Sequence, residues 1–135
     1  MAKLVLTNPA ITIGGVDLSD HIASVALTES YADVATTAFG NTAVTRVAGL
    51  GDHSVSLDFH EDYASGEVNA TIAPLIGATT TVSIKPVNET TSSTNPLWSM
   101  TVLITEWPLI DGAVGDLASA SITWPVSGDI TTATS

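Results

Sequence analysis

The sequence predicts a mostly β protein, a small sandwich or barrel of about seven strands with one flanking α-helix. Three observations carry that prediction. Thr (20), Val (13) and Ile (10) make up 43 of 135 residues, and β-branched side chains suit a pleated surface while crowding a helix. Several segments alternate apolar and polar residues with period two, and only one stretch carries a helical stripe. The length of 135 residues supports one core.

The first strand is Ile11-Thr12-Ile13, closed by the turn Gly14-Gly15. Ile22 to Glu29 follows as a half-buried strand, with Ala23, Val25 and Leu27 on one face and Ser24, Ala26 and Thr28 on the other, and the two read as a hairpin. Ser30 to Asn41 has no period, and a loop that long in a compact domain points to function or to a covered partner. Ala43 to Val47 is expected as a short strand and Ala48 to Asp52 as a turn. His53 to His60 alternates clearly, with Val55, Leu57 and Phe59 opposite Ser54, Ser56, Asp58 and His60. The helix is expected from a Ser65 N-cap with Glu67 in its first turn and an apolar stripe of Val68, Ile72, Leu75 and Ile76, shortened by Pro74 and ended by Gly77. Strands are expected over Thr79 to Pro86, Leu97 to Trp107 and Leu117 to Val126, separated by an exposed loop over Val87 to Asn95 and a long hairpin connection over Leu109 to Asp116. Residues 1–126 form the expected domain, and 127–135 a loosely ordered, flexible polar tail.

The composition excludes several classes of function. Three Lys+Arg stand against 14 Asp+Glu, a net charge of −11, which opposes tight binding to nucleic acid or to an anionic membrane. No cysteine is present, so no disulfide, thiolate metal site or cysteine nucleophile is available. No run approaches the roughly 18 apolar residues of a membrane span, and Met1 to Pro9 lacks a secretory core, so residence in a cytoplasm is expected.

No residue set supports an enzyme. His60, Glu61 and Asp62 are adjacent on a strand end and point to alternate faces; His21 and His53 lack metal-ligand spacing. Asp111 to Asp116 lacks the calcium-loop pattern, and there is no nucleophile elbow or phosphate-binding glycine loop. No catalytic residue, metal ligand or cofactor is therefore expected. Trp98, Trp107 and Trp124 read as core or subunit-interface aromatics, the alternative being a sugar-binding platform.

The run Ile13-Gly14-Gly15-Val16-Asp17-Leu18-Ser19-Asp20-His21-Ile22, the loop from Asp33 to Phe39, and Leu57-Asp58-Phe59-His60-Glu61-Asp62-Tyr63 before a single helix resemble the major tail (tail tube) proteins of long-tailed bacteriophages. The resemblance extends from about Ala10 to Val126. It implies a fold related to type VI secretion tube proteins and a structural virion protein forming stacked hexameric rings, a conduit that delivers DNA into the host. It implies partners of the same kind, namely further copies of the chain and the tape-measure, terminator and baseplate proteins. DNA would pass in transit without tight binding, and the chain would sit in the virion tail after assembly in a bacterial cytoplasm. Within that reading Asp58 and Glu106 are the expected lumen-facing acids, and Tyr31, Asp33, Phe39, Asn41 and Arg46 belong to the expected ring-stacking loop. A tail terminator, a capsid decoration protein and a small carbohydrate-binding sandwich are the alternatives.

Overall fold

The computed structural model describes residue 5 and residues 7–134. Its ten strands are β1 (Ala10–Ile13), β2 (Val16–Asp17), β3 (Ile22–Thr28), β4 (Tyr31–Ala35), β5 (Arg46–Gly51), β6 (Ser54–His60), β7 (Thr79–Lys85), β8 (Leu97–Leu103), β9 (Ser119–Pro125) and β10 (Thr131–Ala133), with one helix, α1 (Val68–Ile72), between β6 and β7. They form a five-stranded sheet in the order β10-β8-β7-β1-β2, a three-stranded sheet β3-β6-β9, and a separate two-stranded ribbon β4-β5. All pairs are antiparallel.

The two larger sheets pack face to face because their strands are apolar on alternate residues. Ile11, Ile13, Val82, Ile84, Met100 and Val102 come from one inner face and Val55, Leu57, Phe59, Ala120, Ile122 and Trp124 from the other, all buried in one cluster. Phe59, Trp107 and Trp124 form its aromatic centre, with Phe59 edge-on to Trp107 at 5.2 Å between ring centroids. Both indole N–H groups are satisfied: Trp124 Nε1 donates to the Glu106 carbonyl at 2.9 Å and Trp107 Nε1 to Asn69 Oδ1 at 3.2 Å. Helix α1 closes one end of the sandwich with Val68 and Ile72.

Several sequence expectations need correction. The helix is shorter than the apolar stripe: after Ile72 the chain tightens into a 3-10 turn, Ala73–Leu75, with Pro74 near its start. Pro74 lacks the N–H that an α-turn would need. Ser65 is not the cap; Glu67 occupies that position, without a side-chain capping bond. In β3 the register slips between Ile22 and Ser24, a bulge that leaves Ala23 exposed while Ile22, Val25 and Leu27 pack against the core. The strand expected to reach Trp107 stops at Leu103, and Ala43 to Val47 is displaced to Arg46–Gly51.

The expected loose tail contains β10, which pairs Thr131, Thr132 and Ala133 with Ser99, Trp98 and Leu97. It is led there by Val126 and Ser127, whose N–H groups donate to the His53 and Thr101 carbonyls at 2.9 and 2.7 Å, tying the end of the three-stranded sheet to β8. The loop over 87–95 is built round the nearly buried Asn95. Its Nδ2 donates to the carbonyls of Val87, Glu89 and Thr90, and its Oδ1 accepts from the Val87 N–H.

Candidate assembly surfaces

Three surfaces are organised beyond what folding requires. The first is the ribbon. β4 continues directly from β3 and β5 leads directly into β6, so the ribbon is an outgrowth of the three-stranded sheet. The stretch Ser30 to Asn41, expected to have no period, thus holds β4 and the tip of a β-hairpin whose second strand, β5, overlaps the strand expected over Ala43 to Val47. β4 escapes detection because all of β4 and all of β5 except Gly49 are exposed, and a strand solvated on both faces has no reason to alternate. Val34 pairs with Val47 across it, Leu50 is 88% exposed and Phe39 at its tip is wholly exposed. Asp33 accepts a hydrogen bond from the Arg46 guanidinium, and both are solvated enough that the pair contributes about 0–1 kcal/mol. Asn41 Oδ1 accepts the Ala38 N–H and shapes the tip.

The base of the ribbon is rigid. His53 is buried, its Nδ1 accepts the Ser30 N–H at 3.1 Å, and its ring meets Tyr31 edge-on at 5.3 Å. A Cβ on Gly51 would lie 2.8 Å from both Cε1 and Nε2 of that ring, so glycine is required there by close approach. Tyr31 donates to Glu29 Oε1 at 2.9 Å, and this bond to an anion raises the phenol above its ordinary value, with the Glu29 charge adding to the effect.

The second surface is the outer face of β3-β6-β9. The register sets Ser24, Asp58 and Ser121 in one row and Ala26, Ser56 and Thr123 in the next, with Thr28 and Ser54 beyond. Ser24 Oγ donates to Asp58 Oδ2 at 2.7 Å, and Ser56 and Thr123 hydroxyls lie 2.9 Å apart. Hydrogen bonds from Ser24 and then Ser121 hold the Asp58 carboxyl below its ordinary value. The face is flat, short-chained and hydroxylated, with Asp58 as the acid in its middle rows.

Glu106 does not share that face. Because β8 ends at Leu103, Glu106 lies exposed on the connection to β9, where its carbonyl serves Trp124. This connection is the third surface. Leu109, Ile110, Val114 and Leu117 are exposed along it, and Tyr63 anchors it by donating to the Leu109 carbonyl at 2.7 Å.

Of the three tryptophans, Trp107 and Trp124 are core and Trp98 is half-buried beside Val25, Leu27 and Ile84.

Sequence reasoning also missed one side-chain cluster. His21, Asp62 and Glu67 converge, with donor atoms within 4.8 Å of one another. Their separation along the chain leaves no spacing signal.

No family description matches this sequence, and no curated protein is similar to it. Solved structures are. A chain of the virion of a native gene transfer agent superposes with a TM-score of 0.70 at 13% identity, covering 93% of this chain and 95% of that one. A chain from the tail of an empty gene transfer agent particle, refined with C6 symmetry, gives 0.64 at 13% identity over 84% and 82%. A chain of the six-fold symmetrised anti-feeding prophage baseplate gives 0.57 at 14% identity over 98% and 97%. The chain shares its fold with these particle components. At such identities the likeness establishes the fold alone and leaves the residues on the surfaces to be argued on their own.

Proposed function

We propose that this chain is a structural subunit of a phage-like tail, assembling into hexameric rings that stack into a tube for DNA delivery. The observation that carries the proposal is the match over most of the chain to components of a C6-symmetric tail and a six-fold baseplate, joined to a ribbon with no core of its own. A lone two-stranded hairpin is marginal in water, and Val34, Val47, Leu50 and Phe39 offer it apolar contacts with neighbouring copies. Tyr31, Asp33, Phe39, Asn41 and Arg46 are thereby assigned to ring-to-ring contact.

The β3-β6-β9 outer face is assigned to the lumen. A conduit must not hold its cargo, and short hydroxyls around one carboxylate offer phosphates no Lys or Arg. Asp58 carries that assignment; Glu106, off the sheet, does not join it. The remaining partners are further tail proteins, the tape measure, terminator and baseplate, and the site of action is the virion tail after assembly in the bacterial cytoplasm.

Electron microscopy of the purified protein tests the proposal. Rings or tubes of uniform six-fold bore are expected. Monomers alone at every salt concentration and beside tail partners overturn it, and single rings that never stack favour a terminator or baseplate role. Deleting Ala32 to Phe39 should block stacking; normal tubes from that variant remove the ribbon from the ring-to-ring contact.

A further inference from the structure

We propose that His21, Asp62 and Glu67 form a binding site for a divalent transition-metal ion of the zinc type, which clamps the turn before β3 to the start of α1. His21 Nε2 lies 2.8 Å from Glu67 Oε2, 3.6 Å from Asp62 Oδ2 and 3.7 Å from Asp20 Oδ1. Around a tetrahedral zinc ion with ordinary bond lengths, ligand atoms sit about 3.4 Å apart. The observed separations bracket that value, so an ion enters by small side-chain rotations. One imidazole nitrogen with carboxylate oxygens is a donor set that zinc accepts, with Asp20 or water completing the shell.

Each ligand is held from behind. The turn Ser19–His21 is fixed by Ser19, whose Oγ accepts the Ile11 N–H at 2.8 Å and whose own N–H donates to Asp17 Oδ1 at 3.0 Å. Asp62 uses Oδ1 to accept the Ala64 N–H at 2.9 Å, which leaves Oδ2 turned toward His21. Glu67 is the N-cap residue of α1 and its backbone is bonded to Ala64 and Thr71, so its side chain departs from a fixed point.

The charge balance points the same way. Three carboxylates surround one imidazole, and among the described residues neither Lys nor Arg pairs with them: Arg46 is engaged with Asp33, and Lys85 donates to the Glu89 carbonyl. A divalent cation supplies a positive charge that no Lys or Arg among the described residues brings to the cluster.

The test is calorimetric titration of the chelator-treated full chain with Zn2+, with Mg2+ as comparison, alongside thermal unfolding. One Zn2+ per chain is expected, with a raised Tm and little response to Mg2+. Glu67→Gln and Asp62→Asn keep the shapes of the side chains and should each weaken Zn2+ binding at least ten-fold; His21→Ala should abolish the one-to-one event. Far-UV circular dichroism of each metal-free variant confirms that it is folded before titration. No saturable binding at one equivalent overturns the proposal, as does binding unchanged in His21→Ala, which would place the ion on His60 or elsewhere. A Tm that does not rise with Zn2+ also overturns it.

Discussion

Replacing Gly51 with alanine probes whether the ribbon can be perturbed apart from the sandwich. The added Cβ would sit 2.8 Å from two atoms of the His53 ring and 3.1 Å from Tyr31 Cε1. The ring cannot retreat easily: it is buried and accepts the Ser30 N–H, and the His53 backbone carbonyl accepts the Val126 N–H at 2.9 Å. Overpacking of this kind costs about 1–3 kcal/mol, equivalent to roughly a 5- to 150-fold shift in a local equilibrium. The ribbon contributes no residue to the buried core, so that cost should fall on ribbon opening. Amide exchange at Val34 and Val47 should accelerate by that factor in Gly51→Ala, with exchange in β6 and β9 and the Tm nearly unchanged, while tube formation weakens. Exchange rising equally in β6 and β9, with a Tm drop of several degrees, would show that ribbon and sandwich open as one unit and refute the reasoning.

Three further outcomes are expected. Phe59→Ala removes the ring between Trp107 and Trp124 and should destabilise the chain by about 3–5 kcal/mol, read as a shift in denaturant midpoint without a change in slope; a loss under 1 kcal/mol would mean the aromatic centre is not closely packed. Burial raises the Glu61 carboxyl above its ordinary value, and its Oε1 is a buried oxygen without a hydrogen-bond partner. The folded chain therefore holds this proton more tightly than the unfolded one, and the ionised group costs stability as pH rises from the ordinary glutamate range through the raised value. Glu61→Gln should accordingly gain Tm over the wild type at pH 7 but not at pH 4, and equal Tm differences at both would exclude the effect. Asp58→Lys should leave rings intact but slow DNA release from assembled particles, and an unchanged rate would take the β3-β6-β9 face out of the lumen.

The parts of the fold that were legible in the sequence are those where one face is buried and the other wet. Val55, Leu57 and Phe59 alternate with Ser54, Ser56 and Asp58 because the first set enters the core and the second meets solvent. β4 escaped and β5 was misplaced by three to four residues because neither face of the ribbon is buried in the single chain, so their residues answer to no inner surface. The bulge at Ala23 escaped because Ala fits either face, and the extent of α1 was overread because Leu75 continues the apolar spacing through a 3-10 turn. β10 was invisible for a different reason: Thr131–Ala133 carries no large apolar residue and is held by pairing with β8. The His21, Asp62 and Glu67 cluster depends on two turns meeting, which no local spacing encodes.

The continuity of the ribbon with β3 and β6 also has a mechanical meaning. A pull on the ribbon tip runs through Thr28 into β3 and through Ser54 into β6, along the strand axes. β6 is paired on both sides over its length, with β3 and with β9. Ladder hydrogen bonds lie across the strands, so such a load shears many bonds together instead of unzipping them one at a time. Tension delivered at the ribbon is spread over the central strand of its sheet, so a load applied there meets the chain where it resists best.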